Sequence, residues 1–409
     1  MRNRHPELLI PASSLEVLKT AVMFGADAVY IGGEAFGLRA KAKNFSMEDM
    51  KEGVQFAHEH GARVHVTVNI LAHNDDLEGA AEYLKELKEI GPDALIIADP
   101  AIFMLAKEIC PEIERHVSTQ ANNTNYGTFN FWWNLGAKRV VTARELSLKE
   151  IREIRAHIPA EMEIESFIHG AMCISYSGRC LLSNFFTGRD ANQGACTHPC
   201  RWKYSVVEET RPGEYMPVYE NERGTYIFNS KDLCMIEHIP EMIDAGIDSF
   251  KIEGRMKTAL YVATVARTYR KAIDDYLEDP KKYEANMPWY RDQISNCTYR
   301  QFTTGFYFGK PGDESQIYDS NTYIKEYTYL GIIGGIKDGM YRIEQRNKFS
   351  VGETVEIMKP DGQNVEVTVE KIIDEDGQEQ ESAPHPKQVL YVALSGEASV
   401  YDILRRQEG

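Results

Sequence analysis

One phrase recurs along this chain: a glycine, a polar or charged residue soon after it, then a short β-branched run. It stands as Gly25-Ala-Asp-Ala-Val-Tyr-Ile-Gly32, Gly61-Ala-Arg-Val-His-Val-Thr-Val-Asn69 and Gly91-Pro-Asp-Ala-Leu-Ile-Ile-Ala-Asp99. It returns as Gly136-Ala-Lys-Arg-Val-Val-Thr-Ala-Arg144 and Gly246-Ile-Asp-Ser-Phe-Lys-Ile-Glu-Gly254. A glycine just past a helix takes the left-handed conformation that closes the last turn without a Cβ penalty. The run after it is short and barely alternates, which suits a parallel strand covered on both sides. Helical spacing fills the gaps, from Ser14 to Phe24, Ser46 to Glu59, Leu77 to Ile90 and Ser147 to His157, with serine caps at Ser14, Ser46 and Ser147. Three further strands fit, Leu8–Pro11, His116–Gln120 and Met162–Ile168.

Eight strands alternating with helices over about the first 275 residues predict a (β/α)8 TIM-barrel-like domain. A doubly wound open sheet is the competing fold, but it usually carries a glycine-rich turn after its first strand. Here that strand runs into Pro11-Ala12-Ser13-Ser14.

The alternation breaks after the seventh strand. From Gly170 to about Thr225 the chain carries four cysteines and several aromatics with no helical period, a large insertion at the barrel face where chemistry sits. The domains are then expected at 1–277 (catalytic barrel with its insertion), 278–319 (connector) and 320–409. In the last, Val365, Val367 and Val369 alternate with polar residues and Asp361-Gly362 and Asp376-Gly377 mark turns, so a small β-barrel is predicted.

The formal charge of −16 disfavours indiscriminate binding to nucleic acid or anionic lipid. No apolar run reaches the roughly 18 residues of a membrane span, and the N-terminal apolar stretch is too short for a signal peptide. The expected compartment is the cytosol, where seven cysteines do not read as a disulfide set.

Four of those cysteines, Cys173, Cys180, Cys196 and Cys200, fall within 28 residues among Gly170, Gly178, Gly188 and Gly194. Converging thiolates would satisfy either Zn²⁺ or an iron–sulfur cluster. Structural zinc sites generally use tight pairs, a spacing that only Cys196/Cys200 meets, so the bulkier [4Fe–4S] cube is favoured. The plainer reading, small buried hydrophobes, suits the scattered Cys110, Cys234 and Cys297.

At these residues the chain resembles peptidase family U32. Glu165-Ser-Phe-Ile-His-Gly-Ala-Met-Cys173-Ile-Ser-Tyr-Ser-Gly-Arg-Cys180-Leu-Leu-Ser183 matches its signature, E-x-F-x-x-G-[SA]-[LIVM]-C-x4-G-x-C-x-[LIVM]-S, at every position. Gly188-Arg-Asp-Ala-Asn192, Cys196-Thr-His-Pro-Cys200-Arg-Trp202, Asn229-Ser-Lys-Asp232 and Lys251-Ile-Glu-Gly-Arg255 look like the same family. The family was named for collagenase-like proteolysis. The resemblance also implies a four-cysteine [4Fe–4S] cluster and oxygen-independent hydroxylation of tRNA wobble uridine to 5-hydroxyuridine, of an rRNA cytidine or of ubiquinone precursors. In the RNA branch the implied donor is prephenate. With a single barrel and a short tail similar to the second domain of elongation factor Tu, the chain looks most like the tRNA branch.

Residue by residue, a peptidase has little support: His58-Glu59-His60-Gly61 has the wrong spacing for a zinc protease motif, and no Gly-x-Ser-x-Gly elbow stands out. A hydroxylase taking a dicarboxylate needs guanidinium forks. Arg144 and Arg255 lie at the ends of the sixth and eighth strands, Arg179 and Arg189 lie in the insertion, and Lys251 joins them through its motif. The window 165–205 holds four basic and two acidic residues, a local reversal that suits tRNA. Phe185, Phe186, Trp202 and Tyr204 are read either as stacking an unpaired anticodon base or as packing around the cluster. Glu165, His169, Glu253 and Arg255 are the catalytic candidates. For Glu165 the alternative is a buried pair with a barrel arginine, and for His169 an outer-shell hydrogen bond to the cluster. The implied partners are the tRNA anticodon loop, a small dicarboxylate and an electron-transfer partner; a cluster-bearing scaffold is the weaker third reading.

Overall fold

The computed structural model describes residues 5–33, 45–173, 175–177, 179–189, 191, 196–202, 205–207, 215–217, 229–297, 301–311, 316–317 and 327–408. Of the residues singled out above, Gly178, Asp190, Asn192, Gly194 and Tyr204 lie outside these.

Eight parallel strands follow one another around a ring: β1 (Glu7–Pro11), β2 (Ala28–Gly32), β3 (Arg63–Val68), β4 (Ala94–Ile97), β5 (Glu114–Val117), β6 (Arg139–Val141), β7 (Glu163–Gly170) and β8 (Ser249–Ile252). β8 pairs with β7 and returns to β1 through Glu7↔Ser249 and Leu9↔Lys251, so the barrel is closed and the open doubly wound sheet is excluded. The five phrase glycines, Gly25, Gly61, Gly91, Gly136 and Gly246, all have φ between 72° and 102°, the left-handed region that ends each preceding helix.

Between strands run α1 (Leu15–Met23), α2 (Met47–Glu59), α3 (Asn74–Ile90), α4 (Pro100–Ile109), α5 (Tyr126–Leu135) and α6 (Leu148–His157). Ser46 and Ser147 cap α2 and α6 through their hydroxyls. α3 starts at Asn74, three residues before the apolar pattern does, because Asp76 accepts the His73 N–H at 2.7 Å. β5 ends at Val117, short of Gln120, because Ser118 Oγ accepts the Gln120 N–H and turns Thr119–Ala121 into a 3₁₀ helix.

Past β7 the insertion holds α7 (Leu182–Thr187) and a 3₁₀ turn, Pro199–Arg201. The chain comes back as a short strand, Asp232–Cys234, antiparallel to the end of β7. α8 (Ile239–Asp244) precedes β8, and α9 (Ala259–Glu278) follows it. The connector is helical too: α10 (Pro280–Ser295) is capped by Asp279.

Two compact units result. One comprises Met1–Lys19, Asp27–Met256 and Arg300–Thr322; the other comprises Thr20–Ala26, Lys257–Tyr299 and Tyr323–Gly409. In the second, the strands Tyr327–Lys337, Met340–Glu344, Thr354–Met358, Asn364–Asp374, Val389–Leu394 and Ile403–Gln407 are antiparallel, and Thr354–Met358 pairs with Asn364–Asp374 to close a small barrel. Its core is apolar, with Leu330, Ile333, Phe349, Ile357, Val392 and Leu404 fully buried. Arg267 of α9 donates to the Lys359 carbonyl at 2.9 Å and to Asn364 at 2.8 Å, tying that helix to one hairpin of the barrel.

Candidate active site

Strand parity decides which side chains enter the large barrel. The registers place Glu7, His65, His116, Arg139, Glu165 and Lys251 on its inner face. Glu165 is fully buried, accepting from Lys251 Nζ at 2.6 Å and from Arg139 Nη1 at 3.1 Å. Arg139 also binds Glu7 at 2.5 Å and Glu163 at 2.7 Å. Burial alone would raise the Glu7 carboxyl, but the Arg139 guanidinium holds it well below the usual carboxylate range. Burial drives His65 and His116 well below the ordinary imidazole value, so both are neutral at pH 7.

His65, His116 and Glu165 bring three ligand-type atoms within 4.8 Å of one another. Both Glu165 oxygens already face cations, so the trio belongs to a charge network. Two sequence expectations change here. Glu165 is the third residue of an eight-residue strand and lies inside the barrel, as Lys251 does. The buried carboxylate–arginine pair is the geometry found, and Arg139 is the arginine.

The other candidates gather at the C-terminal ends of the strands. Arg144, beyond β6, donates to the Ala171 carbonyl at 2.5 Å, stacks 4.0 Å from the Phe167 ring centroid and lies 3.7 Å from Glu253. It thereby fixes the chain two residues before Cys173. Gly170 has φ +106°, and a Cβ there would sit 2.5 Å from the Glu253 carbonyl oxygen, so β7 exits past β8 only because this residue has no side chain. Arg255 is buried, donates to Thr67 Oγ1 at 2.7 Å, and packs its guanidinium against Gly32. His169 is buried at the end of β7, its ring 5.7 Å from Phe302 and its carbonyl accepting the Glu253 N–H. A cleft opens between Thr119, Arg144, Glu145, Met172 and Cys173. Burial raises the Glu145 carboxyl within it, Arg144 partly opposing.

In the insertion, Cys173 and Cys196 are exposed and Cys180 and Cys200 half-buried; none of the four is in a disulfide, nor are the buried Cys110 and Cys297. Burial pushes the Cys110 thiol up to about 11, as suits an inert core residue. Ser183 joins the Cys180 segment to the Cys196–Cys200 segment: its hydroxyl accepts the Thr197 N–H at 3.0 Å and bonds Thr197 Oγ1 at 3.1 Å. Cys196 Sγ accepts the His198 N–H at 3.4 Å. Accessible thiols, three of them on two segments linked in this way, are of the residue type that binds zinc or an iron–sulfur cluster. Among the described residues no three of these sulfurs come within 4.8 Å of one another.

Arg179 and Arg189 are exposed on the insertion. So are Tyr176 (45 %), Phe185 (81 %), Phe186 (44 %) and Trp202 (45 %), with Phe186 and Trp202 rings 6.3 Å apart.

Sequence reasoning missed Arg139, His65 and His116, which only strand parity reveals, and Glu145, next to Arg144. It also missed a polar group at the mouth, Asn69 with Ser118, Gln120 and Asn122. The run Ser118-Thr-Gln-Ala-Asn-Asn123, polar with neither strand nor helix period, was the available signal.

Comparison with known proteins adds the following. The model described as Peptidase family U32 matches residues 13–317, and that described as Peptidase family U32 C-terminal domain matches residues 325–405. The chain is 43% identical to tRNA hydroxylation protein P1 of Bacillus subtilis (strain 168), over 98% of this chain and 95% of that protein. It is 42% identical to an uncharacterized protease of Methanocaldococcus jannaschii, over 74% of this chain and 73% of the relative. It is 41% identical to the 23S rRNA 5-hydroxycytidine C2501 synthase of Escherichia coli (strain K12), over 67% of this chain and 40% of that enzyme.

Proposed function

The chain belongs to peptidase family U32, and from that premise we propose that it is an RNA-modifying enzyme that hydroxylates tRNA. The finer reading is that it forms 5-hydroxyuridine at the wobble position, in the cytosol, with prephenate as donor and Cys173, Cys180, Cys196 and Cys200 holding a [4Fe–4S] cluster. The observation that carries it is the placing of Cys173 in a cleft at the catalytic face of the barrel, beside Arg144 and Glu145. A cluster held by these thiolates supplies one-electron redox chemistry.

The remaining roles fall to side chains. Arg144 lies beside the cysteine segment, where a guanidinium suits a donor carboxylate. Glu145, its carboxyl raised by burial, is suited to hold a proton in the same cleft. Arg179 and Arg189 offer exposed charge to phosphates, and Phe185, Phe186 and Trp202 offer exposed ring faces to unpaired bases. Among the described residues no helix is long and apolar enough to cross a membrane.

Proteolysis is the alternative reading. Its nearest motif is engaged elsewhere: His58 pairs with Asp93 at 2.9 Å and His60 stacks on Phe56, at the end of α2 that leads into β3. That is the N-terminal face of the barrel, away from the insertion.

Anaerobic purification separates the two. Brown protein with about four irons per chain is expected; colourless protein without iron that cleaves gelatin would overturn the reading.

A further inference from the structure

After α10 the chain returns to the first compact unit and runs along the exit of β7. Phe302–Thr303 pairs in parallel with Asp232–Leu233, the short strand that is itself antiparallel to the end of β7. Three residues of this return segment reach β7 or its exit. The Phe302 ring lies 5.7 Å from that of His169. Gly305, at φ +58°, makes its turn where a Cβ would lie 3.4 Å from Met172 Cε. Tyr307 is buried, and its hydroxyl donates to the Phe167 carbonyl.

The last of these contacts replaces a missing ladder bond. β6 pairs with β7 only over Arg139–Val141, and the ladder ends where the Thr142 N–H bonds the Glu165 carbonyl at 2.9 Å. Alternate carbonyls of a strand face the same neighbour, so the next one on that edge belongs to Phe167. A buried carbonyl without a donor is costly. Tyr307 supplies the donor from 140 residues further along the chain. Its own backbone is anchored as well, because its carbonyl accepts the N–H of Leu148, the first residue of α6, at 2.9 Å.

Arg144 lies just beyond the point where β6 leaves the sheet. Its guanidinium stacks 4.0 Å from the Phe167 ring centroid and donates to the Ala171 carbonyl. Its charge also reaches the Tyr307 phenol, where it opposes the upward push of burial. Phe167 therefore carries Arg144 on its ring and Tyr307 on its carbonyl. A hydroxyl that fixes the Phe167 peptide fixes the surface on which the guanidinium rests. Arg144 lines the cleft with Cys173 and Glu145, and Tyr307 is not among the lining residues.

We propose that Tyr307 is a positioning residue: through Phe167 it holds Arg144 in the orientation that receives the carboxylate of the hydroxyl donor. This rests on the reading of Arg144 as the carboxylate-binding residue. A stretch expected only to link two domains thereby completes the site.

The test is steady-state hydroxylation by the full chain, purified without oxygen, on tRNA from a strain deleted for its gene, with prephenate varied. Arg144→Gln removes the guanidinium and is expected to raise the prephenate KM at least about tenfold. Tyr307→Phe removes one hydroxyl and is expected to raise it about fivefold, with kcat within about twofold of wild type. In the double variant the KM is expected to equal that of Arg144→Gln, because Tyr307 acts through that side chain. Tyr290→Phe is the control for lost stability: it removes a similarly buried phenol, bonded to Asp275 at 2.6 Å in the second unit, and should lower the melting temperature with KM unchanged. A wild-type KM in Tyr307→Phe, a full effect that persists on the Arg144→Gln background, or an equal rise in Tyr290→Phe would overturn the proposal and leave the role of Arg144 intact. A wild-type KM in Arg144→Gln removes the reading of Arg144, and a wild-type chain that hydroxylates no tRNA removes the hydroxylase reading; either takes this proposal with it.

Discussion

At the residue scale the informative feature is a carboxylate that looked catalytic and proves to be internal. Glu165 lies between Lys251 and Arg139, and removing one partner of such a buried pair leaves an uncompensated charge. Lys251→Met is expected to cost about 3 kcal/mol in chemical denaturation; an unchanged midpoint would contradict the pairing. The same network fixes the pH response. His65 and His116 are lowered in the fold, so below about pH 6.5 the unfolded chain binds protons that the folded chain does not, and stability falls with acid. Glu7 is also lowered, so the loss continues through the carboxylate range. His65→Phe is expected to flatten the slope of unfolding free energy between about pH 7 and pH 5; an unaltered slope would contradict a neutral buried His65. Glu145, in the cleft beside Cys173, is the proposed proton holder, and Glu145→Gln should lower tRNA hydroxylation by about a hundredfold with tRNA binding retained. The two glutamates were not separable in the sequence, because burial inside a barrel depends on register, which a single strand does not carry.

At the element scale the recurring glycine phrase made most of the barrel legible: each of its five glycines ends a helix, and each run that follows is a barrel strand. α10 was hidden, because Pro288 and a weak apolar stripe obscure its period and its start is set by a single cap, Asp279. The insertion has no period to read, and its four cysteines stood out only by residue type and spacing. Its geometry hangs on two devices. Gly170→Ala would push a Cβ into the Glu253 backbone at a left-handed φ, and should cost about 1–3 kcal/mol and displace Cys173; a variant with wild-type stability and iron content would contradict the close approach. Ser183→Ala cuts the link between the two cysteine segments and should lower bound iron, whereas Cys110→Ser should leave it unchanged. Equal iron in wild type and Ser183→Ala would show that the link does not organise the ligands.

At the scale of the whole molecule, a chain of net charge −16 is assigned a polyanionic substrate. Association then depends on the local excess of basic residues in the insertion, and affinity should fall steeply with salt. Replacing Arg179 and Arg189 together by Glu should weaken tRNA binding and reduce the slope of log K against log[salt] by about one for each phosphate no longer neutralised; an unchanged slope would place the RNA on another face. The measurement that bears most directly on the assigned function is nucleoside mass spectrometry of tRNA from the deleted strain carrying either the wild-type chain or Cys173→Ala, Cys180→Ala, Cys196→Ala or Cys200→Ala, with iron counted on the same proteins purified without oxygen. The expected result is that the wild-type chain restores 5-hydroxyuridine and holds about four irons, and that each alanine variant loses both. A variant that restores the nucleoside without iron, or a wild-type chain that binds iron and restores nothing, would contradict it.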